Sequence, residues 1–112
     1  MLEQDYVYNA RIVNVVDGDT VDMLVDLGFH TYIKDRFRLS GIDTAEVNST
    51  DAAERKLAQD AKAWMANYLN KDVVIKSTKK DKYGRYLAYI YKDSEVSLND
   101  QMLSLGLAKV YS

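Results

Sequence analysis

The sequence of 112 residues contains no cysteine, no proline and a single histidine. The absence of cysteine excludes disulfides, thiolate zinc sites and a cysteine nucleophile, and a single histidine excludes a multi-histidine metal site. No apolar run approaches the roughly 18 residues that a membrane span needs, so we expect no membrane partner. Residues 1–5 lack the basic start and apolar core of a secretory signal. We therefore expect a cytoplasmic or phage-encoded protein, or a secreted one whose leader has been removed.

The chain also has little net charge. Its 15 basic and 17 acidic side chains give −2, which offers no bulk attraction for nucleic acid. The charge is unevenly distributed, because residues 1–70 carry a balance of −5 and residues 71–92 a balance of +5. Tyrosines interleave this basic stretch, a composition typical of a surface that tracks a phosphate backbone and stacks bases. A solvated pair of strands with alternating lysines has the same composition, and both interpretations stay open.

The length and the absence of repeats or linkers predict a single domain over residues 1–112. Its first half has the pattern of strands: residues 7–16 are β-rich, and Asp17-Gly18 is a hairpin turn signal. Apolar residues alternate from Val21 to Leu27, and a third strand is predicted over residues 31–42. Two further strands are predicted near 72–79 and 84–91.

Two segments are predicted to be helical. Residues 52–69 carry one apolar stripe, and Asp51 with Glu54 resembles a capping box at its start. Ser97 with Asp100 predicts the cap of a short second helix, which Gly106 would end. Runs of three and two strands around one helix are typical of a small barrel of the OB type. The predicted fold class is therefore α+β, mainly β: a five-stranded OB-fold barrel with two packed helices. The apolar stripe consists of Leu57, Ala61, Trp64, Met65 and Tyr68, and we interpret Trp64 and Met65 as core.

Asp19 is anomalous within the first hairpin. It has the same strand parity as Val21 and Met23, so it lies on the face that should be buried. A buried carboxylate is costly unless it is ion-paired, hydrogen-bonded or bound to a cation. The alternative is an ordinary turn aspartate at the end of a strand.

Residues 38–46 bring a cation and two carboxylates close to Gly41, which can break the strand alternation. Asp19, Asp43 and the Thr44 carbonyl could bind a hard cation such as calcium, and a further carboxylate could take a proton from water. Arginine suits phosphate because its planar fork donates two hydrogen bonds at once. The alternative for this segment is a strand-end turn with surface ion pairs. Residues 81–85, with two cations beside a tyrosine, could hold a phosphate and stack a base, or form an exposed hairpin.

Taken together and in this order, these segments resemble the staphylococcal (thermonuclease-like) nuclease family. The resemblance covers nearly all of residues 8–111. It rests on VDGDTV at 16–21, RLSGIDTAE at 38–46 and DKYGR at 81–85, with LAYIY at 87–91 and GLAKV at 106–110.

The resemblance implies an OB-fold barrel that hydrolyses phosphodiester bonds of DNA or RNA with Ca²⁺, prefers single strands and leaves 3′-phosphate ends. It implies Asp19 and Asp43 as carboxylate ligands, Thr44 as a carbonyl ligand and Asp17 as a supporting acidic residue. It implies Glu46 as the general base, or as the group that positions the attacking water, and Arg38 and Arg85 as the groups that bind the scissile phosphate. It implies Lys82, Tyr83 and Tyr111 as substrate-binding residues.

The chain departs from the family pattern at several points. Ala45 stands where proline is common, which frees the backbone at Thr44. Residues 47–51 lack the usual glycine, and the sequence stops where relatives continue into a third helix, so we expect self-association through the barrel surface that this helix would cover. The alternative function is a non-catalytic OB-fold module that binds single-stranded nucleic acid. The joint presence of Arg38, Glu46 and Arg85 favours the enzyme.

Overall fold

The computed structural model describes residues 6–80 and 85–111, which form a closed five-stranded barrel, two helices and a separate two-stranded sheet. The predicted fold class is confirmed. No helix in this part of the chain is long and apolar enough to cross a membrane. In chain order the elements are β1 (Tyr6–Asp17), β2 (Thr20–Asp26), β3 (Tyr32–Leu39), β4 (Ile42–Asp43), α1 (Ala52–Ala66), β5 (Asp72–Lys80), β6 (Tyr86–Tyr91), α2 (Leu98–Ser104) and β7 (Lys109–Val110).

The long strand β1 pairs with two different strands of the barrel. Its first half pairs with β5 and its second half with β2, both antiparallel. Two register irregularities, between Ile12 and Asn14 and between Val15 and Asp17, bend it between these partners. The barrel is completed where β3 and β6 run parallel, with Phe37 opposite Tyr86. The strand order around the barrel is β1-β2-β3-β6-β5.

The core fills the barrel and the space beneath the helices. The predicted alternation of β2 is confirmed for Val21, Met23 and Val25, which are buried. It does not reach Leu27, because the strand ends at Asp26 and Leu27 is exposed. Met65 of α1 is also buried, and Trp64 packs against the core, as interpreted from the sequence. Both helices therefore contribute apolar side chains to one core: Ala61 and Met65 from α1, and Leu98 and Met102 from α2.

Helix α1 begins as predicted but differs from the prediction in two details. Asp51 is the N-cap, and its Oδ1 accepts a hydrogen bond from the Ala53 amide at 2.9 Å. The reciprocal bond of a capping box is replaced, because the Ser49 hydroxyl accepts from the Asp51 amide and donates to the Glu54 carboxylate. The helix ends at Ala66, so the predicted end at residue 69 is three residues too late.

The third strand is shorter than predicted. It ends at Leu39, because the chain turns at Gly41, whose φ of +78° is the left-handed region that favours glycine. The next two residues form β4, which pairs antiparallel with β7: Asp43 lies opposite Lys109. The prediction of one strand over residues 31–42 is therefore wrong at its C-terminal end. The β4–β7 pair was not predicted.

Helix α2 is joined to this turn by Asn99. The predicted cap is confirmed, since the Ser97 hydroxyl accepts from the Asp100 amide. The Asn99 side chain is fully buried. Its amide group donates to the Ser40 carbonyl at 2.8 Å and the Ala88 carbonyl at 3.0 Å, and its oxygen accepts from the Ile90 amide at 3.2 Å. One side chain thus connects α2, β6 and the turn after β3.

Replacing Asn99 by leucine should lower the free energy of unfolding by about 2–3 kcal/mol, because buried backbone groups lose their partners while the side-chain volume is nearly kept. Urea denaturation at neutral pH measures the change. The matched control is Asn67→Leu, an exposed amide with one contact to the Trp64 carbonyl, which should cost less than about 1 kcal/mol. Equal costs for the two variants would contradict the connecting role of Asn99.

Candidate active site

The site begins at the turn between β1 and β2, which consists of Gly18 and Asp19. Gly18 is buried against helix α1. A β carbon at this position would lie 2.7 Å from Cβ of Ala61 and 3.1 Å from Cγ2 of Thr44. The absence of a side chain therefore allows the turn to approach both the helix and the segment after β4. This approach positions Asp19 beside Thr44.

Replacing Gly18 by alanine should lower the free energy of unfolding by about 1–3 kcal/mol, because the added methyl group overpacks this contact. The double variant Gly18→Ala with Ala61→Gly removes the closest methyl neighbour and should be more stable than the additive sum of the two single variants. Urea denaturation of all four proteins gives this coupling. Additive losses would show that the turn does not depend on the contact with Ala61.

Asp19 is buried, with 8% of its surface exposed, as its strand parity predicted. One carboxylate oxygen accepts from the Thr20 hydroxyl at 3.0 Å, and the other accepts from the Thr44 amide at 3.2 Å. Its backbone carbonyl accepts from the Leu39 amide at 2.8 Å. The partners that a buried carboxylate requires are therefore present. They connect the first hairpin with the ends of β3 and β4.

Arg38 joins two of the predicted metal ligands. It is buried to the same degree as Asp19. Its Nη2 lies 3.5 Å from Oδ2 of Asp19 and 3.0 Å from Oδ1 of Asp43, and its Nη1 donates to the Ile42 carbonyl at 3.1 Å. The two carboxylates thus converge on one guanidinium nitrogen, from a turn and a strand that lie far apart in sequence.

Tyr111 covers the guanidinium of Arg38. The centre of its ring lies 4.7 Å from Cζ of Arg38, which is a cation–π contact. The Tyr111 amide donates to the Gly41 carbonyl at 3.0 Å, directly beyond the β4–β7 pair. The ring is about half exposed, at 49%. The end of the chain therefore takes part in the site through an aromatic contact that the sequence did not predict.

Asp17 and Arg36 lie beside this cluster. Partial burial raises the pKa of Asp17, and the charge of Asp19 raises it further, while Lys62 and Arg36 act in the opposite direction. Arg36 forms an ion pair with Asp22 at 2.9 Å, and this hydrogen bond lowers the pKa of Asp22. The net effect raises the pKa of Asp17, so the neighbouring cations do not fully compensate its burial and the charge of Asp19. Its role as a supporting residue near a cation stays a prediction.

The remaining predicted residues are distributed around this centre. Glu46 is exposed, on the turn that follows Thr44 and Ala45. Arg85 is half-buried and directly precedes β6, and extension of the β3–β6 register brings it level with Arg36. The predictions for Lys82 and Tyr83 lie outside the described residues.

The predicted cation site contains two carboxylates rather than three. Within residues 6–80 and 85–111, no three carboxylate, histidine or cysteine side chains form a metal-binding group. The predicted set differs, with two carboxylates and the Thr44 carbonyl. The oxygens of Asp19 and Asp43 face the same positive charge and are hard donors, so their chemistry fits a hard divalent cation. The contact of Thr44 with Asp19 is made by the Thr44 amide, and the role of the Thr44 carbonyl as a ligand stays a prediction.

Sequence reasoning missed two contributors to the site and one contact of a predicted residue. Thr20 donates to Asp19, and Asn99 holds the turn between Arg38 and Asp43. Tyr111 was predicted as a substrate-binding residue, but its contact with Arg38 was not. The signal for Thr20 was its position directly after the aspartate. Asn99 carried no signal, because a polar residue in the first turn of a helix usually faces solvent.

Comparisons with known proteins show the family to which the chain belongs. The sequence pattern of the family described as "Staphylococcal nuclease homologue" matches residues 36–112, which include Arg38, Asp43 and Glu46. The chain belongs to the staphylococcal nuclease homologue family. The Asp17–Asp19 turn lies before the matched range. Its position beside Arg38 and Thr44 is given by the structure.

Named relatives extend the similarity of this family member to almost the whole chain. Endonuclease YncB of Bacillus subtilis is 29% identical over 111 residues, covering 96% of this chain and 50% of the relative. Thermonuclease of Staphylococcus hyicus is 30% identical over 110 residues, covering 96% and 59%. Uncharacterized protein MJ1439 of Methanocaldococcus jannaschii is 34% identical over 128 residues, covering 93% and 59%. The chain thus spans half to three-fifths of the length of these relatives.

Proposed function

We propose that this chain is a Ca²⁺-dependent nuclease that hydrolyses phosphodiester bonds of single-stranded DNA or RNA and leaves 3′-phosphate ends. The observation that carries the proposal is the convergence of Asp19 and Asp43 on buried Arg38. Membership of the staphylococcal nuclease homologue family and the similarity to proteins named endonuclease and thermonuclease support it.

The proposed cation site uses Asp19, Asp43 and the Thr44 carbonyl, with Asp17 as a nearby acidic support. A bound Ca²⁺ would supply positive charge beside the phosphate and balance the negative charge that grows in the transition state. The buried hydrogen bonds from Thr20 and Thr44 keep the Asp19 carboxylate in one orientation. An oriented, partly desolvated carboxylate is what a tight site for a hard cation requires.

The two arginines would bind the scissile phosphate. Arg38 presents a planar fork that is already held by the Ile42 carbonyl and by the ring of Tyr111, so little conformational freedom is lost on binding. Arg85 would donate to the same phosphate from the start of β6. Both guanidinium groups would stabilise the charge on the equatorial oxygens as water attacks in line with the leaving oxygen.

Glu46 would act on the attacking water. Its position on an exposed turn, two residues after Thr44, leaves it open to solvent and substrate. As general base it would accept a proton from water while the new bond from oxygen to phosphorus forms. The bond between phosphorus and the 5′ oxygen then breaks, and this oxygen takes a proton from solvent. The phosphate stays on the 3′ side.

A cleavage assay tests the proposal. End-labelled single-stranded DNA and RNA are incubated with the protein in Ca²⁺, in Mg²⁺ and in a calcium chelator. The cleaved ends are then treated with a 3′-phosphatase and compared on a denaturing gel. We expect cleavage in Ca²⁺ only, and products whose mobility changes after phosphatase treatment. Cleavage that persists in the chelator would refute the Ca²⁺ dependence, and binding without cleavage would favour the non-catalytic module.

A further inference from the structure

The outer face of β3 carries a row of cations. Side chains on a strand alternate, so Phe37 faces the core while Lys34, Arg36 and Arg38 share the outer face. Lys34 and Arg36 are exposed, and Arg38 belongs to the candidate active site. The row therefore begins at the site and leads away from it along one strand.

Arg36 is held in a fixed orientation within this row. Its Nε donates to Oδ1 of Asp22 at 2.9 Å and its Nη2 to Oδ2 at 3.4 Å, while Asn14 donates to the same carboxylate at 3.1 Å. A guanidinium has five N–H donors, and these described contacts use two of them. More than half of the side chain, 54%, is exposed. Arg36 therefore directs oriented N–H groups towards solvent, in addition to the two that donate to Asp22.

Exposed aromatic rings lie at the far end of the row. Tyr32 has the same parity as Lys34 and is 54% exposed. Phe29 is completely exposed, at the tip of the hairpin between β2 and β3. Its φ of 55° is rare for a bulky residue. The loop is closed by two hydrogen bonds: the Leu27 amide donates to the Thr31 carbonyl, and the Thr31 amide donates to the Gly28 carbonyl. A hydrophobic ring held outward in a strained turn is unexplained by packing within the chain.

We propose that Tyr32, Lys34 and Arg36, here called the β3 track, bind the backbone and bases of a single-stranded nucleic acid beyond the scissile phosphate. The inference rests on the proposed function, in which Arg38 binds that phosphate. Cations two residues apart on a strand are separated by about 6.6 Å, which is comparable with the spacing of phosphates in an extended single strand. Arg36 and Lys34 then contact successive phosphates, and bases stack on Tyr32 and Phe29.

Binding to oligonucleotides of two lengths tests the track. All proteins carry Glu46→Gln so that substrate survives, and fluorescence anisotropy in Ca²⁺ follows a labelled 12-residue oligo(dT) and a labelled dinucleotide. Lys34→Glu combined with Arg36→Gln should weaken binding of the 12-mer by about tenfold or more and reduce the salt dependence by about 0.7 per lost phosphate contact. The dinucleotide, too short to reach Lys34, should bind both proteins equally.

Lys56→Glu is the matched control, since it makes the same charge change as Lys34→Glu on the exposed face of α1, outside the barrel. It should leave binding of the 12-mer unchanged. If the double variant unfolds in a thermal melt, Lys34→Gln alone should still weaken binding and lower the salt slope. Equal affinity of parent and variant for the 12-mer, or no binding by the parent, would overturn the track. The wild-type protein could fail to cleave while its binding still depends on Lys34 and Arg36. That result would refute the proposed hydrolysis and support the β3 track as a binding surface.

Discussion

Replacing Arg38 by methionine is expected to lower the free energy of unfolding by about 3–5 kcal/mol, because it leaves a buried carboxylate without its charged partner. The ion pair is largely shielded from solvent, since the side chains of Arg38 and Asp19 are 9% and 12% exposed. The Ile42 carbonyl would also lose its donor. Urea denaturation at pH 7 in a calcium chelator measures the loss without a contribution from bound metal.

Two further variants separate the ion pair from ordinary packing. Arg36→Met removes a neighbouring arginine whose side chain is 54% exposed, while its partner Asp22 keeps the hydrogen bond from Asn14, and should cost about 1 kcal/mol. Adding Asp19→Asn to Arg38→Met removes the orphaned charge and should recover part of the stability, since an amide oxygen can still accept from Thr44. If Arg38→Met is no more costly than Arg36→Met, the buried pair does not stabilise the fold.

Replacing Glu46 by glutamine should reduce the rate of phosphodiester cleavage by about 10²–10⁴-fold, the usual contribution of a general base. The side chain keeps its size and loses its ability to accept a proton. Because Glu46 is exposed, the thermal unfolding midpoint should stay unchanged. Single-turnover cleavage of labelled single-stranded DNA in Ca²⁺ measures the rate of the chemical step.

The control for Glu46 is Glu95→Gln, an equivalent change at an exposed position between β6 and α2. It should leave the cleavage rate within a factor of about two, since surface substitutions away from a site have small effects. A Glu46→Gln protein that retains more than a tenth of the wild-type rate would contradict the role of Glu46 as the base. In that case another group, or water itself, would take the proton.

The barrel could be predicted because its signal is local. Strand β2 repeats apolar residues with a period of two at Val21, Met23 and Val25, and the structure buries all three. The β4–β7 pair could not be predicted, because two-residue strands have no period. The end of β3 was missed for a related reason: Arg38 and Leu39 continue the strand, and only the conformation of Gly41 ends it.

In the candidate site, too, the features with a local sequence signal were predicted and the others were not. The burial of Asp19 followed from its parity with Val21, and the structure confirms it. Its partners did not follow, because Arg38 approaches it from the neighbouring strand β3 and the Thr44 amide from the segment after β4, both distant along the chain. The catalytic and ligand roles of Asp43, Thr44, Glu46 and Arg85 stay predictions. They depend on chemistry that a chain without substrate does not display.

The β4–β7 pair also has a consequence for the order of folding. Asp43 and Lys109 meet only after the intervening helices and strands have condensed, because closing so long a loop costs entropy that local contacts must first offset. Tyr111 then comes to lie on Arg38. We therefore expect the barrel to acquire protection from hydrogen exchange before the amide of Tyr111 does. A newly made chain would hold the guanidinium of Arg38 incompletely ordered until β7 pairs with β4.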